Sequence, residues 1–354
     1  MAQLKVGIAM SGGVDSSVTA SLLRQKGFAV HGFFMLLPLP GAEKHIKRVQ
    51  SVADHLSIPL HCIDMKEFFS RTVIDYFIRT YRNGYTPNPC IICNQQIKFG
   101  TLMNIIRNEG MEKMATGHYA RIKKMSDGNF ILQRGCDPKK DQSYFLCRLA
   151  AEQLENLILP LGDLTKEEVY DLAAELNLSG IHGPESQDIC FLAGETISTF
   201  FAKQGIGDSP GDIISTKGTV IGQHRGLWRH TVGQRRGLGL PDATPWYVKQ
   251  LDAENNRLVV CKNDALFTRK IVIRDVLWTD PAVPTPWQGY VQIRGRHKAS
   301  PAKIVAGGNG LWIITFETRQ RAVTPGQFAV FYREDSVAGS GIITDHVVGE
   351  VTAQ

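Results

Sequence analysis

"AMSGGVDSS", Ala9 to Ser17, follows directly on the apolar run Leu4–Ile8. An apolar run ending in glycines and serines reads as a strand that passes to a helix through a phosphate-binding turn. Gly12 and Gly13 let the backbone turn tightly and approach an anion with N–H groups pointing at it. Ser11, Ser16 and Ser17 add hydroxyl donors, and the helix from Ser16 adds the positive end of its dipole. The loop holds no lysine, whereas the G-x-x-x-x-G-K-[ST] phosphate loop uses one to reach the β- and γ-phosphates. Asp15 fits an anion site when Mg²⁺ joins it to phosphate oxygens. A plain strand-to-helix turn needs a cap and nothing more. Two adjacent glycines, three hydroxyls and a carboxylate exceed that need.

Outward from the loop, the first third of the chain alternates strand and helix. Strands are predicted at Val6–Met10, Val30–Met35, Leu60–Asp64 and Met114–Thr116. Helices are predicted at Ser16–Lys26, Glu43–Leu56, Lys66–Asn83 and Asn94–Asn108. That order implies a doubly wound parallel α/β sheet, whose ligands sit at strand carboxyl ends beside helix N-termini. Both the Ser11–Ser17 loop and "ATGHYA" (Ala115–Ala120) fall at such ends. A hairpin follows, Ala120–Lys124 and Phe130–Gln133 around Asp127-Gly128, and then helices Glu152–Asn156, Thr165–Leu176 and Thr196–Gln204. Thr165 and Glu168 form a capping box.

From Ile206 onward, short alternating runs separated by Gly, Pro and Asn-Asp turns imply one or two small β-barrels. The expected domains are 1–205, 206–272 and 273–354. Residues 1–205 hold 22 Lys and Arg against 21 Asp and Glu, while 206–354 hold 18 against 13. A basic second part beside a neutral first suggests a polyanionic partner held by its own module. At 43% hydrophobic and 21% charged, the composition is that of an ordinary globular protein. No apolar run approaches the ~18 residues of a membrane span, and no signal pattern precedes the loop. A cytoplasmic protein without membrane contact is expected. Seven cysteines, an odd count too scattered for a disulfide scaffold, point to thiol or metal chemistry.

The loop resembles the pyrophosphate loop (PP-loop) of the N-type ATP pyrophosphatases. That superfamily splits ATP between the α- and β-phosphates, so the loop grips a departing pyrophosphate and the absent lysine is accounted for. Further motifs occur in order: "TPNPCIICNQQIKF" (Thr86–Phe99), "ATGHYA", "KDQSYFL" (Lys140–Leu146), "SQDICF" (Ser186–Phe191), "HTVGQRRGLGL" (His230–Leu240), "PWYV" (Pro245–Val248) and "TPGQFAVFY" (Thr324–Tyr332). Together they resemble the tRNA-specific 2-thiouridylase family over nearly the full length.

The resemblance implies AMP transfer from ATP to the C2 oxygen of the wobble uridine in the tRNAs for Lys, Glu and Gln. That transfer turns a hopeless leaving group into a phosphate ester, and sulfur then expels AMP to give 2-thiouridine. It implies an ATP and Mg²⁺ site at Ala9, Met10, Ser11, Gly12, Gly13, Val14, Asp15 and Ser16, with adenine near Met35 and Gly117. Asp15, Cys93 and Cys190 are the implied catalytic residues. A persulfide or sulfide donor is implied; Cys190 carries the persulfide handed on by a donor protein, and Cys93 attacks that persulfide, releasing hydrosulfide or activating the sulfur for transfer. Cys93 stands just before the predicted helix at Asn94, where a dipole lowers a thiol pKa. Implied tRNA contacts are Asn88, Pro89, Cys90, Lys140, Asp141, Gln142 and Arg294. Arg235, Arg236, Arg296 and Lys298 are candidates for its backbone. His118 is either a phosphate ligand or structural.

One departure stands out. The family commonly has aspartate where this chain has Cys90, so Cys90-Ile91-Ile92-Cys93 makes a C-x-x-C that Cys190 joins. Three thiolates are ligands for a [4Fe-4S] cluster with one open iron. The same residues also serve a persulfide relay with Cys90 as a spare thiol. Both readings stay open here. Rival functions are a PP-loop synthetase that adenylates a small molecule and a nucleic-acid-binding module with an inactive loop. The basic half and the cysteines speak against the first, and the intact Ser11, Gly12, Gly13 and Asp15 against the second.

Overall fold

A computed structural model of the chain describes residues 3–178, 189–279, 283 and 285–344. It divides into two compact units. The first comprises Met1–Ile74, Pro89–Ala193 and Asp335–Val337, and the second takes in Asp75–Asn88, Gly194–Glu334 and the chain from Ala338.

The first unit is built on a parallel sheet. Its strands are β1 (Lys5–Met10), β2 (Ala29–Leu36), β3 (Leu60–Asp64), β4 (Lys113–Ala115), and, after the β5 (Ala120–Lys124) and β6 (Phe130–Arg134) hairpin, β7 (Leu157–Ile158). The order in the sheet is β3-β2-β1-β4-β7, all parallel. The chain winds outward from β1 to β3 and then returns to the other side of β1 at β4. That reversal is the switch point, and the carboxyl ends of β1 and β4 there are where sheets of this kind bind ligands. Ser11 leaves one strand there and Thr116 the other.

Val6 and Ile8 of β1 are fully buried. They pack with Val14, Val18 and Leu23 of helix α1 (Val14–Gln25) and with Val49, Val52 and Ala53 of α2 (Ala42–His55). Each buried Val or Leu side chain contributes about 1.5–3 kcal/mol, so the strand that carries the loop is held rigidly.

The stretch predicted as one helix over Lys66–Asn83 is instead three pieces. Lys66–Phe69 and Asp75–Arg82 are α-helical, and a π-turn at Ser70–Ile74 joins them. The division between the two units falls at the end of that turn. Beyond it, Phe77 and Tyr81 meet Phe201 with ring centroids 6.0 and 5.8 Å apart. Aromatic contact inside the second unit therefore claims this segment.

The rest of the second unit is β-rich, as expected. Strands β8 (Gly211–Ser215), β9 (Val220–His224), β10 (Tyr247–Asp252) and β11 (Arg257–Cys261) form a four-stranded sheet in the order β10-β11-β8-β9. The last six strands are β12 (Phe267–Trp278), β13 (Trp287–Gln292), β14 (Ser300–Ala306), β15 (Trp312–Arg321), β16 (Phe328–Arg333) and β17 (Ser336–Ile343). They run β12-β15-β14-β13-β16-β17, and the β12–β17 pairing closes a barrel around Trp287, Phe316 and Phe331. Two of its strands escape sequence reading. Pro301 sits in β14, and the glycines of Ala338–Gly341 break the apolar alternation of β17.

Candidate functional site: a phosphate loop and a thiol group joined by one segment

At the switch point, Gly12 takes φ +72°, a left-handed conformation that glycine adopts without strain. Gly13 caps α1. The Ser16 and Ser17 hydroxyls each donate to Gly13 O at 3.0 Å, and Gly13 N–H donates to Ser11 Oγ at 3.3 Å. Ser11 and Ser16 hydroxyls stand 3.4 Å apart. The Ser16 and Ser17 hydroxyls, expected as donors to an anion, thus brace the turn itself.

Asp15 is held from two directions. Lys166 Nζ and the Tyr119 hydroxyl both donate to its Oδ1, each at 2.7 Å. Lys166 is buried, and its ammonium stands over the Tyr170 ring at 4.8 Å from the centroid. It begins the helix Lys166–Glu175, whose Thr165–Glu168 capping box is present as expected. Lys166 also donates its backbone N–H to Asp137 Oδ2 at 3.1 Å. Sequence reasoning passed over Lys166, which reads as an ordinary first-turn residue.

Gly117 touches Asp15 as well. A Cβ there would lie 2.8 Å from the Asp15 carbonyl carbon, so only glycine lets the segment after β4 come this close. Met35, near the end of β2, pairs in register with Ile63. Ala9 and Met10 complete β1.

The next residue, His118, faces the other way. Its Nδ1 is 2.7 Å from Thr116 Oγ1 and its Nε2 is 3.5 Å from Lys98 Nζ. Its ring packs on Phe99 at 5.6 Å between centroids. Desolvation, with the Lys98 charge acting the same way, holds this imidazole well below the usual histidine range. It is neutral at pH 7, with Nδ1–H donating to Thr116 and Nε2 accepting from Lys98.

Lys98 acts in turn on three thiols. Its charge favours the thiolates of Cys90, Cys93 and Cys190, while burial, the larger effect, raises all three. Cys93 is buried and pushed up to about 12, and negative charge on Cys190 or Cys90 opposes its ionisation further. Here the expectation of a dipole-lowered thiol fails. The helix starts at Pro89, four residues earlier, and Cys93 opens a buried π-helical run, Cys93–Leu102. Cys190 has an exposed side chain even though its surroundings are dense enough to desolvate a thiolate; it stands at the start of the short turn Cys190–Leu192, and Phe191 packs edge-on against Phe69. Ser186 to Asp188 of the same motif lie outside the described residues.

Among the described residues, no three Cys, His, Asp or Glu side chains are grouped so as to hold a metal ion. Cys90, Cys93 and Cys190 are not in such a group, so the arrangement lends the cluster reading no support. Of the other cysteines, Cys62 and Cys136 are exposed and Cys147 and Cys261 buried.

The remaining predicted residues are placed as follows. Asp141 accepts from Arg134, Gly135 N–H, and the N–H and hydroxyl of Ser143, all within 3.0 Å, so both oxygens are committed to shaping its own loop. Gln142 Oε1 accepts from Tyr119 N–H at 2.9 Å. Lys140 is half-buried beside them. Asn94, next to Cys93, donates to Phe145 O at 3.0 Å and so ties the cysteine segment to this loop.

In the second unit, Asn88 and Pro87 are buried. Gln327 Nε2 donates to Thr86 O and Pro87 O, and Asn88 Nδ2 donates to Gln327 Oε1 at 3.4 Å. The "TPN" stretch is thus seated on "TPGQ". Pro89 follows Asn88 at the helix start. Arg294 is half-buried, with its guanidinium near Arg321 O. Arg235, Arg236, Arg296 and Lys298 are exposed, and none has a carboxylate partner among the described residues.

Comparison with known proteins covers nearly the whole chain. Residues 4–194 match the tRNA methyl transferase HUP domain, 199–262 the tRNA methyl transferase PRC-barrel domain, and 268–343 the aminomethyltransferase beta-barrel domain. The tRNA-specific 2-thiouridylase MnmA of Desulfotalea psychrophila is 45% identical over 339 residues, 95% of this chain and 98% of that protein. The protein of that name from Carboxydothermus hydrogenoformans is 41% identical over 355 residues, 96% of this chain and 97% of its own. That from Chloroflexus aurantiacus is 42% identical over 348 residues, 95% of this chain and 97% of its own.

Proposed function

The chain belongs to the tRNA-specific 2-thiouridylase family, and from that premise we propose how its residues work as an ATP-dependent tRNA-uridine 2-sulfurtransferase. The observation that carries the reading is the Gly117-His118-Tyr119 segment. Gly117 and Tyr119 touch Asp15 of the phosphate loop, and His118 touches Lys98 of the thiol group. One rigid stretch thus links an adenylating centre to a sulfur centre. This pairing suits AMP transfer followed by thiol chemistry.

In the first step the uridine 2-oxygen attacks the α-phosphorus of ATP and pyrophosphate leaves. The Gly12 and Gly13 amides and the Ser11 hydroxyl would receive the pyrophosphate. Asp15 takes both of its protein donors on Oδ1, so Oδ2 is the atom that would meet Mg²⁺. Mg²⁺ supplies charge neutralisation of the phosphates when bound.

In the second step the exposed Cys190 receives a persulfide from a donor, and the buried Cys93 is kept from stray oxidants. Cys93 Sγ gives up its proton only as it attacks Cys190 Sγ; a Cys93–Cys190 disulfide forms, the outer sulfur leaves with the electron pair, and the proton passes to it. Hydrosulfide adds at uridine C2 and AMP departs with the former 2-oxygen. A thiol reductant reopens the disulfide. Lys98 stabilises the thiolates, and no step requires a cluster. The substrates we propose are the tRNAs for Lys, Glu and Gln, in the cytoplasm, where ATP and tRNA meet. Among the described residues, no helix is long and apolar enough to cross a membrane.

The test is whether pyrophosphate release from ATP requires unmodified tRNA and whether thiolated tRNA accumulates with a persulfide donor. Release that needs a small acid in place of tRNA overturns the reading.

A further inference from the structure

The helix Asp75–Arg82 and the barrel form a cavity of about 230 Å³ that the chemistry above does not use. Its lining includes Tyr76, Arg79, Asn83, Tyr85, Arg274 and Gly326, all within the second unit. Arg79 and Arg274 come from positions 195 apart in the chain and converge here. Both are exposed, and neither has a carboxylate partner among the described residues. Their charges act together on the Tyr76 hydroxyl, which burial otherwise keeps protonated. Arg82, one turn on from Arg79, lines an adjoining groove with Asp75 and Asn83. Two unpaired guanidiniums beside phenol rings and an amide are the donor set for a phosphodiester with a neighbouring nucleoside.

Two lining residues, Asn83 and Tyr85, precede the Thr86–Asn88 loop that leads to the cysteines. The Asn88 N–H donates to the Tyr76 hydroxyl at 3.4 Å. Gly326 is packed so tightly on this loop that a Cβ would lie 2.8 Å from Thr86 O. Asn88 stands two residues before Cys90 and five before Cys93. A ligand that meets Tyr76 thus meets the support of the cysteine-bearing segment.

We propose that this cavity docks a backbone phosphate of the tRNA between Arg79 and Arg274, and that Tyr76 is a positioning residue coupling the docked RNA to the Asn88 loop. The proposal rests on the reading of the chain as a tRNA-modifying enzyme. It assigns that role to residues outside the motifs that carry the family resemblance.

The test uses the full-length protein, Arg79→Gln/Arg274→Gln and each single variant, with an unmodified tRNA transcript titrated at several salt concentrations. Loss of one phosphate contact should lower the salt slope of log K by about 1 and weaken binding uniformly across substrate tRNAs. ATP affinity and thermal unfolding should stay as in wild type, since both arginines are exposed and unpaired. Each single variant should show part of the loss. An unchanged slope and affinity in the double variant, while wild type binds tRNA, overturns the proposal. Failure of wild type to bind tRNA at all overturns the family-level reading instead. If inorganic phosphate stabilises wild type but not the double variant, and RNA binding is equal in both, the cavity takes free phosphate and the RNA assignment falls. Tyr76→Phe should lower kcat for 2-thiouridine formation with KM for tRNA unchanged. Equal kcat removes the coupling role.

Discussion

Lys166 Nζ lies 2.7 Å from Asp15 Oδ1, across 151 positions of sequence. The phosphate loop has no lysine of its own, yet an ammonium reaches it from the first turn of a later helix. That ammonium neutralises the one carboxylate in a site built for polyphosphate. It also orients Asp15, together with Tyr119.

Lys166→Met should therefore lower both stability and adenylation. Asp15 would keep only the Tyr119 hydroxyl and would remain a half-buried, poorly paired carboxylate. The pair is partly open to solvent, so the cost should be about 1–3 kcal/mol and below that of breaking a fully buried pair. Tyr119→Phe should cost less, about 1 kcal/mol. Chemical denaturation and tRNA-dependent pyrophosphate release measure the two effects. Full pyrophosphate release by Lys166→Met would show that the pairing is structural alone.

Gly117→Ala places a methyl group 2.8 Å from the Asp15 backbone. Backbone cannot swing aside as a flexible side chain does, so the segment after β4 must shift. Overpacking of this kind costs about 1–3 kcal/mol. The shift also carries Tyr119 away from Asp15, and pyrophosphate release should fall with tRNA affinity little changed. A variant with normal turnover would place the close contact outside the catalytic geometry.

Cys93→Ser and Cys190→Ser should each abolish 2-thiouridine formation while leaving tRNA-dependent pyrophosphate release intact. Cys90→Asp, which restores the residue common in the family, should be tolerated. The assay is thiolation by persulfide-loaded, iron-free enzyme, alongside bound-iron analysis after anaerobic reconstitution. Stoichiometric iron that depends on all three cysteines, with activity only in the iron-loaded form, would falsify the relay.

Acid should destabilise the fold between about pH 6.5 and 4. Burial, with the nearby His224 and Arg229 acting the same way, lowers the His230 pKa to about 4, and His118 is lowered as well. Below their ordinary pKa these groups bind protons in the unfolded chain but not in the folded one. Their stabilisation is complete above pH 6.5 and is lost as pH falls, at up to about 1.4 kcal/mol per pH unit for each group. Cys93 and Tyr81, both pushed up to about 12 by burial, set the opposite limit. Their stabilisation is complete below about pH 9 and lost as pH rises towards 12. Urea unfolding across pH checks both limbs, and His230→Asn should make the acid limb shallower.

The parallel sheet, the loop on its first strand and the β-rich second part were all legible in the sequence, because they rest on local regularities. Apolar period, glycine placement and the Thr165–Glu168 box act over a few residues, and a reader of the chain meets them in order. What stayed hidden depends on residues that meet only after folding. Lys166 is an unremarked first-turn lysine until the sheet's switch point brings it to Asp15. The burial of Cys93 follows from the helix starting at Pro89 and not at Asn94, and that reverses the expected direction of its pKa. The resemblance implied Asp141 as a tRNA contact, and only the fold shows that its two oxygens also shape the turn around it. The helix after Lys66 is continuous in hydrophobic period. Its last part joins the other unit because Phe77 and Tyr81 find the Phe201 ring there and Gln327 seats the Thr86–Asn88 loop. Periodicity records which face of a segment is buried, and only the tertiary structure decides which partner buries it.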